Sequence, residues 1–486
     1  MTGSRGPTID RTNALAVHGA YLGMFVAVLS QTVLATTLPN IIEEIGGFEH
    51  YAWVFTVYGL AVTVTMPIAG QITDARGRSP VFVLGATLFM LGGGLCAASH
   101  DLVELMVGRG IQGLGAGAML VIAMVTVGDL IPARDRARWH ALAGANFVVA
   151  ALLGPLIGGL LSEHGHWRLT FIVPLPLCLL ALSMAYPRLR RLHRPHRDYG
   201  PDYVGAALLA VALTAALIAL SSTGDQSDNL SRLTAPSLVL MTLGFISFVV
   251  RETSTQNPLV PPGLLFLRQL IFPNAASFFV GAALFSAMML LPLLWQAVLS
   301  ASAAGSAFVL VPMMGALFAG TSASGLYVSR TGDYRLVLGL GPPIASLGFL
   351  GMAFVDPATS VVFIATVSAV GGFGIGTLLQ TLLALVQDAA PRDYLGVATS
   401  STQFSRQLGG AVGVTLVGAL LNHGLGPVDL AALSGPNALG VTNSELAKSL
   451  AHASQPVSLV ISALAALTII GLLGRNTGDS QGFDNK

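Results

Sequence analysis

Gly70-Gln-Ile-Thr-Asp74-Ala-Arg76-Gly77-Arg78 is a short polar interruption between two long apolar runs, residues 51 to 70 and about 80 to 98. Runs of about 20 residues are what an α-helix needs to cross about 30 Å of hydrocarbon. The stretch therefore reads as a tight loop joining two membrane-spanning helices, and its arginines place it on the cytoplasmic side. Glycine at each end suits a turn that must reach positive φ or admit a neighbouring helix closely. The spacing returns as Gly325-Leu-Tyr-Val-Ser329-Arg330-Thr-Gly332-Asp333-Tyr-Arg335, with the two glycines again seven residues apart. An internal duplication is the natural expectation.

Of the 486 residues 53% are hydrophobic and 10% charged, against about 25% charged for an ordinary soluble domain. An all-α polytopic membrane protein is indicated. Apolar runs of spanning length fall near 14–37, 51–70, 80–98, 104–127, 139–161 and 168–186 in the first half. Others follow near 203–221, 233–250, 270–293, 303–325, 336–354, 359–386, 397–421 and 453–473, which makes fourteen. With both termini cytoplasmic, nineteen of the 24 basic residues lie in inner segments; the inverse topology puts most of that charge outside and is rejected. The net charge of +1 carries no sign of a nucleic-acid partner. Cys96 and Cys178 sit within spans, so neither a disulfide nor a metal site is expected. The polar first dozen residues lead directly into a full-length span, which does not suggest a cleavable signal peptide.

The Asp74-Ala-Arg76-Gly77-Arg78 order resembles the cytoplasmic loop signature of the major facilitator superfamily of transporters. Span 1 ends Ser30-Gln31-Thr32-Val-Leu-Ala-Thr-Thr-Leu38-Pro39, similar to the fourteen-span drug:proton antiporter group of that superfamily, which usually has an aspartate where this chain has Ser30. Arg109-Gly-Ile-Gln112-Gly113 resembles the span-4 signature, whose arginine is implicated in substrate binding or proton transfer. Gly154-Pro155-Leu-Ile-Gly158-Gly159 looks like the span-5 signature of the family's exporters, with Ala150 where a glycine is usual. Span 13, with Arg406-Gln407-Leu-Gly409-Gly410, also resembles the fourteen-span exporters.

The resemblance implies a major facilitator fold with 14 transmembrane helices, two six-helix halves plus two linker helices, around a cavity that opens to alternate sides. The expected boundaries are a cytoplasmic tail at 1–13, an N-terminal bundle at 14–186, and a basic loop with the linker helices at 187–268. The C-terminal bundle at 269–473 carries a long outer loop at 422–452, and 474–486 forms a second cytoplasmic tail. The implied activity is export of small amphipathic drug-like or metabolite molecules from the cell across its inner (plasma) membrane, in exchange for protons, by a monomer that is not an enzyme; the alternatives are an importer or uncoupled facilitator of a small organic molecule and a membrane-embedded lipid-handling protein. No cofactor or metal is expected; Glu163-His164-Gly-His166 reads as plain loop chemistry.

The resemblance implies most of the candidate residues, and physical chemistry independently singles out Arg109. Arg109 is a lone charge inside a span, and an arginine at that depth costs several kcal/mol unless paired or wetted. Gly70, Asp74, Arg76, Gly77 and Arg78 form the expected gate, and Ser329 stands where the first copy has Asp74. The substrate or proton pathway is expected to include Ser30, Gln31, Arg109, Gln112, Asp129, Gln380 and Arg406. None of the 23 Asp and Glu residues lies near the middle of a span, so a proton carrier is sought at span ends: Asp74, Asp129 or Glu163, with His18 and His140 near the inner ends. Trp53 and Tyr58 read as interfacial anchors, outside the site.

Overall fold

The computed structural model describes residues 11–45, 51–163, 166–192, 202–222, 228–255, 258–259, 268–299, 310–352, 354–355, 359–391 and 394–425. The predicted span at 453–473, the tail after it and nearly all of the loop 422–452 lie outside these residues. In chain order the helices are α1 (Arg11–Ile45), α2 (Tyr51–Arg76), α3 (Arg78–Ala98), α4 (Leu102–Leu130), α5 (Ala133–Glu163), α6 (Leu169–Ile172) and α7 (Pro174–Leu189). There follow α8 (Tyr203–Ser222), α9 (Asp228–Ser254), α10 (Arg268–Leu299), α11 (Leu310–Thr331), α12 (Arg335–Met352), α13 (Val361–Leu379), α14 (Thr381–Ala389) and α15 (Leu395–Leu425). Two predicted spans are interrupted: α6 gives way to α7 at Val173, before Pro174, and α13 to α14 at Gln380. The described residues thus form fifteen helices, or thirteen when each interrupted pair is taken as one, and ten of these thirteen are long and apolar enough to cross a membrane.

The chain packs as two compact units. One comprises Met1–Ala216, Pro236–Pro262 and Ala390–Phe404; the other comprises Leu217–Ala235, Gly263–Ala389 and Ser405–Lys486. In the first, α4 is the central helix, packed against α1, α2 and α3, with Tyr58, Phe82, Phe89, Met119 and Ile122 in the core. Close approach is possible because glycines face neighbouring backbones: a side chain at Gly115 would strike Phe89 and Gly85, and one at Gly113 would lie 2.6 Å from the Tyr58 carbonyl. The second unit repeats the device. There α13 runs between α11 and α12, with Gly374 facing Ala345 and Gly372 facing the Met313 carbonyl.

Each central helix has a signal at its start. Asp101 caps α4 by accepting from the Glu104 amide at 2.8 Å, while Glu104 accepts from the His100 amide at 2.8 Å. This reciprocal arrangement satisfies two otherwise orphaned donors. Ser360 caps α13 through the Phe363 amide.

The quoted stretch is more helical than its polarity suggests. Helix α2 continues through Arg76, so Asp74 lies on its last turn, and the reversal is confined to Gly77 at φ 90° and ψ 171°. Burial keeps the turn wound: Thr73 and Asp74 are buried, and the Gly77 amide closes on the Thr73 carbonyl at 3.0 Å. At the second copy Gly332 has φ 69°, and its amide closes on the Val328 carbonyl at 2.8 Å. Gly332 has open space around it, whereas Gly77 occupies a region that is essentially reserved for glycine. Gly77→Ala is therefore expected to cost about 1–3 kcal/mol and Gly332→Ala about 1–2 kcal/mol. Thermal unfolding in detergent checks the order, and an equal or larger loss at Gly332 would contradict it.

A polar fastening joins the inserted helices to the first unit. Asp202, just before α8, takes Arg251 of α9 through both carboxylate oxygens, and its amide donates to Gln71 Oε1 of α2 at 3.0 Å. Gln71 Nε2 in turn donates to the Pro258 carbonyl at 3.1 Å. Glu252 accepts from the Leu259 amide at 3.0 Å.

Candidate functional site

Two polar clusters of the first unit contain most of the candidate residues. The deeper one surrounds Arg109, the eighth residue of α4 and fully buried. Its Nη1 donates to Gln112 Oε1 at 2.7 Å and approaches the carbonyl and hydroxyl of Ser30 on α1, both at 3.4 Å. The guanidinium lies over the Tyr58 ring, 3.9 Å from its centroid, a cation–π contact that desolvation strengthens. Tyr58 is 1% exposed, and its hydroxyl donates to the Ala27 carbonyl at 2.7 Å. The expectation that Tyr58 anchors at the interface is therefore corrected: its ring forms the floor under Arg109. The side chain of Arg109 does not snorkel to solvent. Gln31 is half-buried beside this cluster in sequence, with Thr32 bonded to the Ala150 carbonyl at 3.1 Å.

The second cluster lies at the Gly77 turn. Asp74 accepts from the Gly396 amide at 2.9 Å and the Val397 amide at 2.8 Å, one on each carboxylate oxygen. These amides open α15, where unsatisfied donors and the helix dipole favour a carboxylate. Gly70 comes against Gly396: a side chain at Gly396 would lie 2.6 Å from Asp74 Oδ1 and 2.7 Å from the Gly70 carbonyl. Arg78 sits 3.6 Å from Asp74 and grips Asp129 of α4, with Nε to Oδ2 at 2.6 Å and Nη2 to Oδ1 at 3.1 Å. Gly70, Asp74, Gly77, Arg78 and Asp129 are thus brought together, while Arg76 is exposed and takes no part.

Asp74 lies beyond the apolar run 51–70, and its carboxyl is far from ordinary. Burial pushes it up to about 7 from 3.8, against the pull of Arg78 and of the Val397 and Gly396 amides, with Asp129 adding to the rise. Between about pH 4 and 7 the docked group holds more proton than a water-exposed one. Docking is therefore at full strength below about pH 4 and weakens as the pH rises through 7. Relative to Asp74→Asn, the parent is expected to lose thermal stability between about pH 5 and about pH 8; parallel curves for the two proteins would refute this.

The remaining candidates lie apart. Gly154 is buried against Thr32, close enough that any side chain there would strike the hydroxyl; Gly158 is buried, and the surroundings of Pro155 and Gly159 lie outside what the structure describes. Gln380, in the second unit, is buried where α13 passes into α14. Arg406 is half-buried, and its carbonyl meets Gly281. His18 is exposed and stacks on Trp139 with centroids 5.5 Å apart, while His140 is buried. A third polar knot joins Glu44 to Trp167 Nε1 and Arg168 Nη1, each at 2.6 Å, and those bonds hold the Glu44 carboxyl below its usual range. Sequence reasoning missed Tyr58, Gln71 and the amides of Gly396 and Val397; the last are paired with Asp74 across more than 320 residues.

The described residues form a multi-pass helical bundle with glycine-packed central helices and buried polar clusters. The Major Facilitator Superfamily model matches residues 20–414, and the chain belongs to that family. It is 31% identical over 411 residues to "Multidrug transporter protein MdtP" of Bacillus subtilis (strain 168), covering 84% of this chain and 75% of that one. It is 29% identical over 405 residues to "Multidrug resistance protein 3" of the same organism, covering 83% and 78%. Its fold is similar to that of the proton:xylose symporter XylE, with TM-score 0.63 and 14% identity over 95% of this chain and all of that one.

Proposed function

We propose that the protein is a secondary active transporter that exports small amphipathic drug-like or metabolite molecules from the cell across the plasma membrane. The observation carrying this reading is the similarity, across more than four fifths of the chain, to proteins named for multidrug transport and resistance. Gly154 of α5, packed against Thr32 of α1, and the buried Gly158 on the same helix support an exporter-type helix.

In this reading the Gly77 turn faces the cytoplasm. Docking of Asp74 on the first amides of α15 holds one state of the transporter, and release of the carboxylate permits the other. A group that titrates near neutrality at this rim is suited to exchange a proton as it docks and undocks, with Asp129 and Arg78 setting its field. Asp74 or Asp129 is therefore the proposed coupling group.

Two measurements test the reading. Cells overproducing the protein should accumulate less of at least one fluorescent amphipathic dye, from a panel of cationic, neutral and anionic members, than cells lacking it. Higher accumulation would make the protein an importer. In proteoliposomes an imposed pH gradient should drive uphill transport by the parent. Transport surviving Asp74→Asn, Asp129→Asn and Glu163→Gln alike would refute coupling at the rim.

A further inference from the structure

We infer that Arg109 is the receptor for an anionic group, a carboxylate or its equivalent, on the molecule transported; the inference rests on the transporter reading above and names the substrate class of its deeper cluster. Arg109 is fully buried, yet among the described residues only Nη1 has hydrogen-bond partners, and Nε and Nη2 have none. Beside them Gln112 Nε2 is also buried without an acceptor. All three atoms are donors, so what completes the cluster must be an acceptor, and the uncompensated charge calls for a negative one. No described carboxylate lies within ion-pair distance of Arg109.

Geometry narrows the acceptor further. Nε and Nη2 form one edge of the guanidinium, whose parallel N–H groups fit the two oxygens of a carboxylate. The same edge serves the same purpose twice elsewhere in this unit: in Arg78 it grips Asp129, and in Arg251 it grips Asp202. In Arg109 it has no partner among the described residues. The face of the guanidinium is held on Tyr58 and its other end on Gln112, which fixes the edge without using it. Ser30 contributes only a hydroxyl and a carbonyl at 3.4 Å, so α1 supplies no competing charge. The anionic group reaches this edge when the helices part, and the apolar remainder of the molecule lies along the surrounding side chains of α1, α2 and α4.

The test uses three probes of nearly equal shape, 1-naphthylacetate, 1-naphthylacetamide and 2-(1-naphthyl)ethylammonium, with the purified full chain in neutral detergent. Equilibrium dialysis should find the acetate bound at least about tenfold more tightly than the amide, with the ammonium weakest. Arg109→Gln should abolish that preference and Arg109→Lys retain part of it. Ser30→Asp supplies a carboxylate from within, so it should weaken acetate binding by about tenfold or more while raising thermal stability. Should Arg109→Gln fail to fold, Ser30→Asp and the order of the three probes decide the matter. The inference is overturned if the amide or ammonium binds as well as the acetate, if no probe binds, or if Ser30→Asp leaves the preference intact. Displacement of the acetate by an anionic phospholipid would assign the edge to a lipid headgroup and overturn it equally. The dye panel in cells reads export whatever the charge preference, so failure here is distinguishable from failure of the exporter reading.

Discussion

Replacing Asp74 by Asn is expected to reduce transport by at least about tenfold without reducing the amount of protein in the membrane. Both carboxylate oxygens of Asp74 accept an N–H, from Gly396 and from Val397. Asn has one acceptor, so its NH2 must face a backbone donor. Losing one such bond to a charged group costs about 1.5–3 kcal/mol, and every 1.4 kcal/mol is about a tenfold change in equilibrium. A protonated Asp74 differs from Asn because its oxygens can still both accept. Gly396→Leu attacks the same contact from the other side, since its Cβ would lie 2.6 Å from Asp74 Oδ1. Efflux per molecule, normalised by immunoblot, should fall in both variants; full activity in either removes Asp74 from the switch.

Gly115→Leu and Gly374→Leu are expected to prevent accumulation of folded protein. At Gly374 even a Cβ would lie 2.6 Å from the Ala345 Cα, and at Gly115 it would strike backbone of α3. Backbone cannot rotate away as a side chain can, so the helices must separate along their length. Overpacking typically costs about 1–3 kcal/mol, and leucine against backbone lies at or beyond the upper end. Gly94→Ala and Gly315→Ala are the contrast, because nothing lies within 4 Å of either added carbon. Helix propensity there favours alanine by about 0.8–1.0 kcal/mol, so those variants should be at least as stable as the parent. Size-exclusion profiles in detergent after graded heating distinguish the two pairs; normal profiles for the leucine variants would show that the close approach is dispensable.

Helix positions were legible because bilayer thickness imposes a length on every apolar run, and each predicted span within the described residues overlaps a helix or an interrupted pair, though ends differ by up to eight residues. The reversal at Gly77 and Gly332 was legible too, since few residues other than glycine tolerate those angles. What polarity misjudged was the last turn of α2. Gln71, Thr73 and Asp74 read as loop because they are polar, yet they are buried, and the partners of Gln71 and Asp74 come from distant parts of the chain. Periodicity within a helix says nothing about which amides will meet it 320 residues later. Arg109 stood out as a lone charge in an apolar run, but its floor did not. Tyr58 lies near a span end, where aromatic residues usually face the headgroups, and only the close approach of α4 at Gly113 encloses it. Residues 390–404 pack with the first unit through tertiary contact with α2, which no local pattern marks.

Helix α9 is held at one end by Arg251, yet only 11% of an 18-residue stretch within Thr234–Ser254 is buried in protein, against 78% for the corresponding stretch of α4. Its Leu, Val and Ile side chains therefore have solvent rather than neighbours to satisfy, and that solvent is hydrocarbon. Leu243, Ile246 and Val250 can exchange freely for one another during evolution, since no knob has a hole to fit. What cannot drift is length: 21 residues at 1.5 Å each span about 30 Å, and shortening the run costs fractions of a kcal/mol for every ångström of mismatch. In α4 selection reads individual atoms, while in α9 it reads the thickness of the membrane.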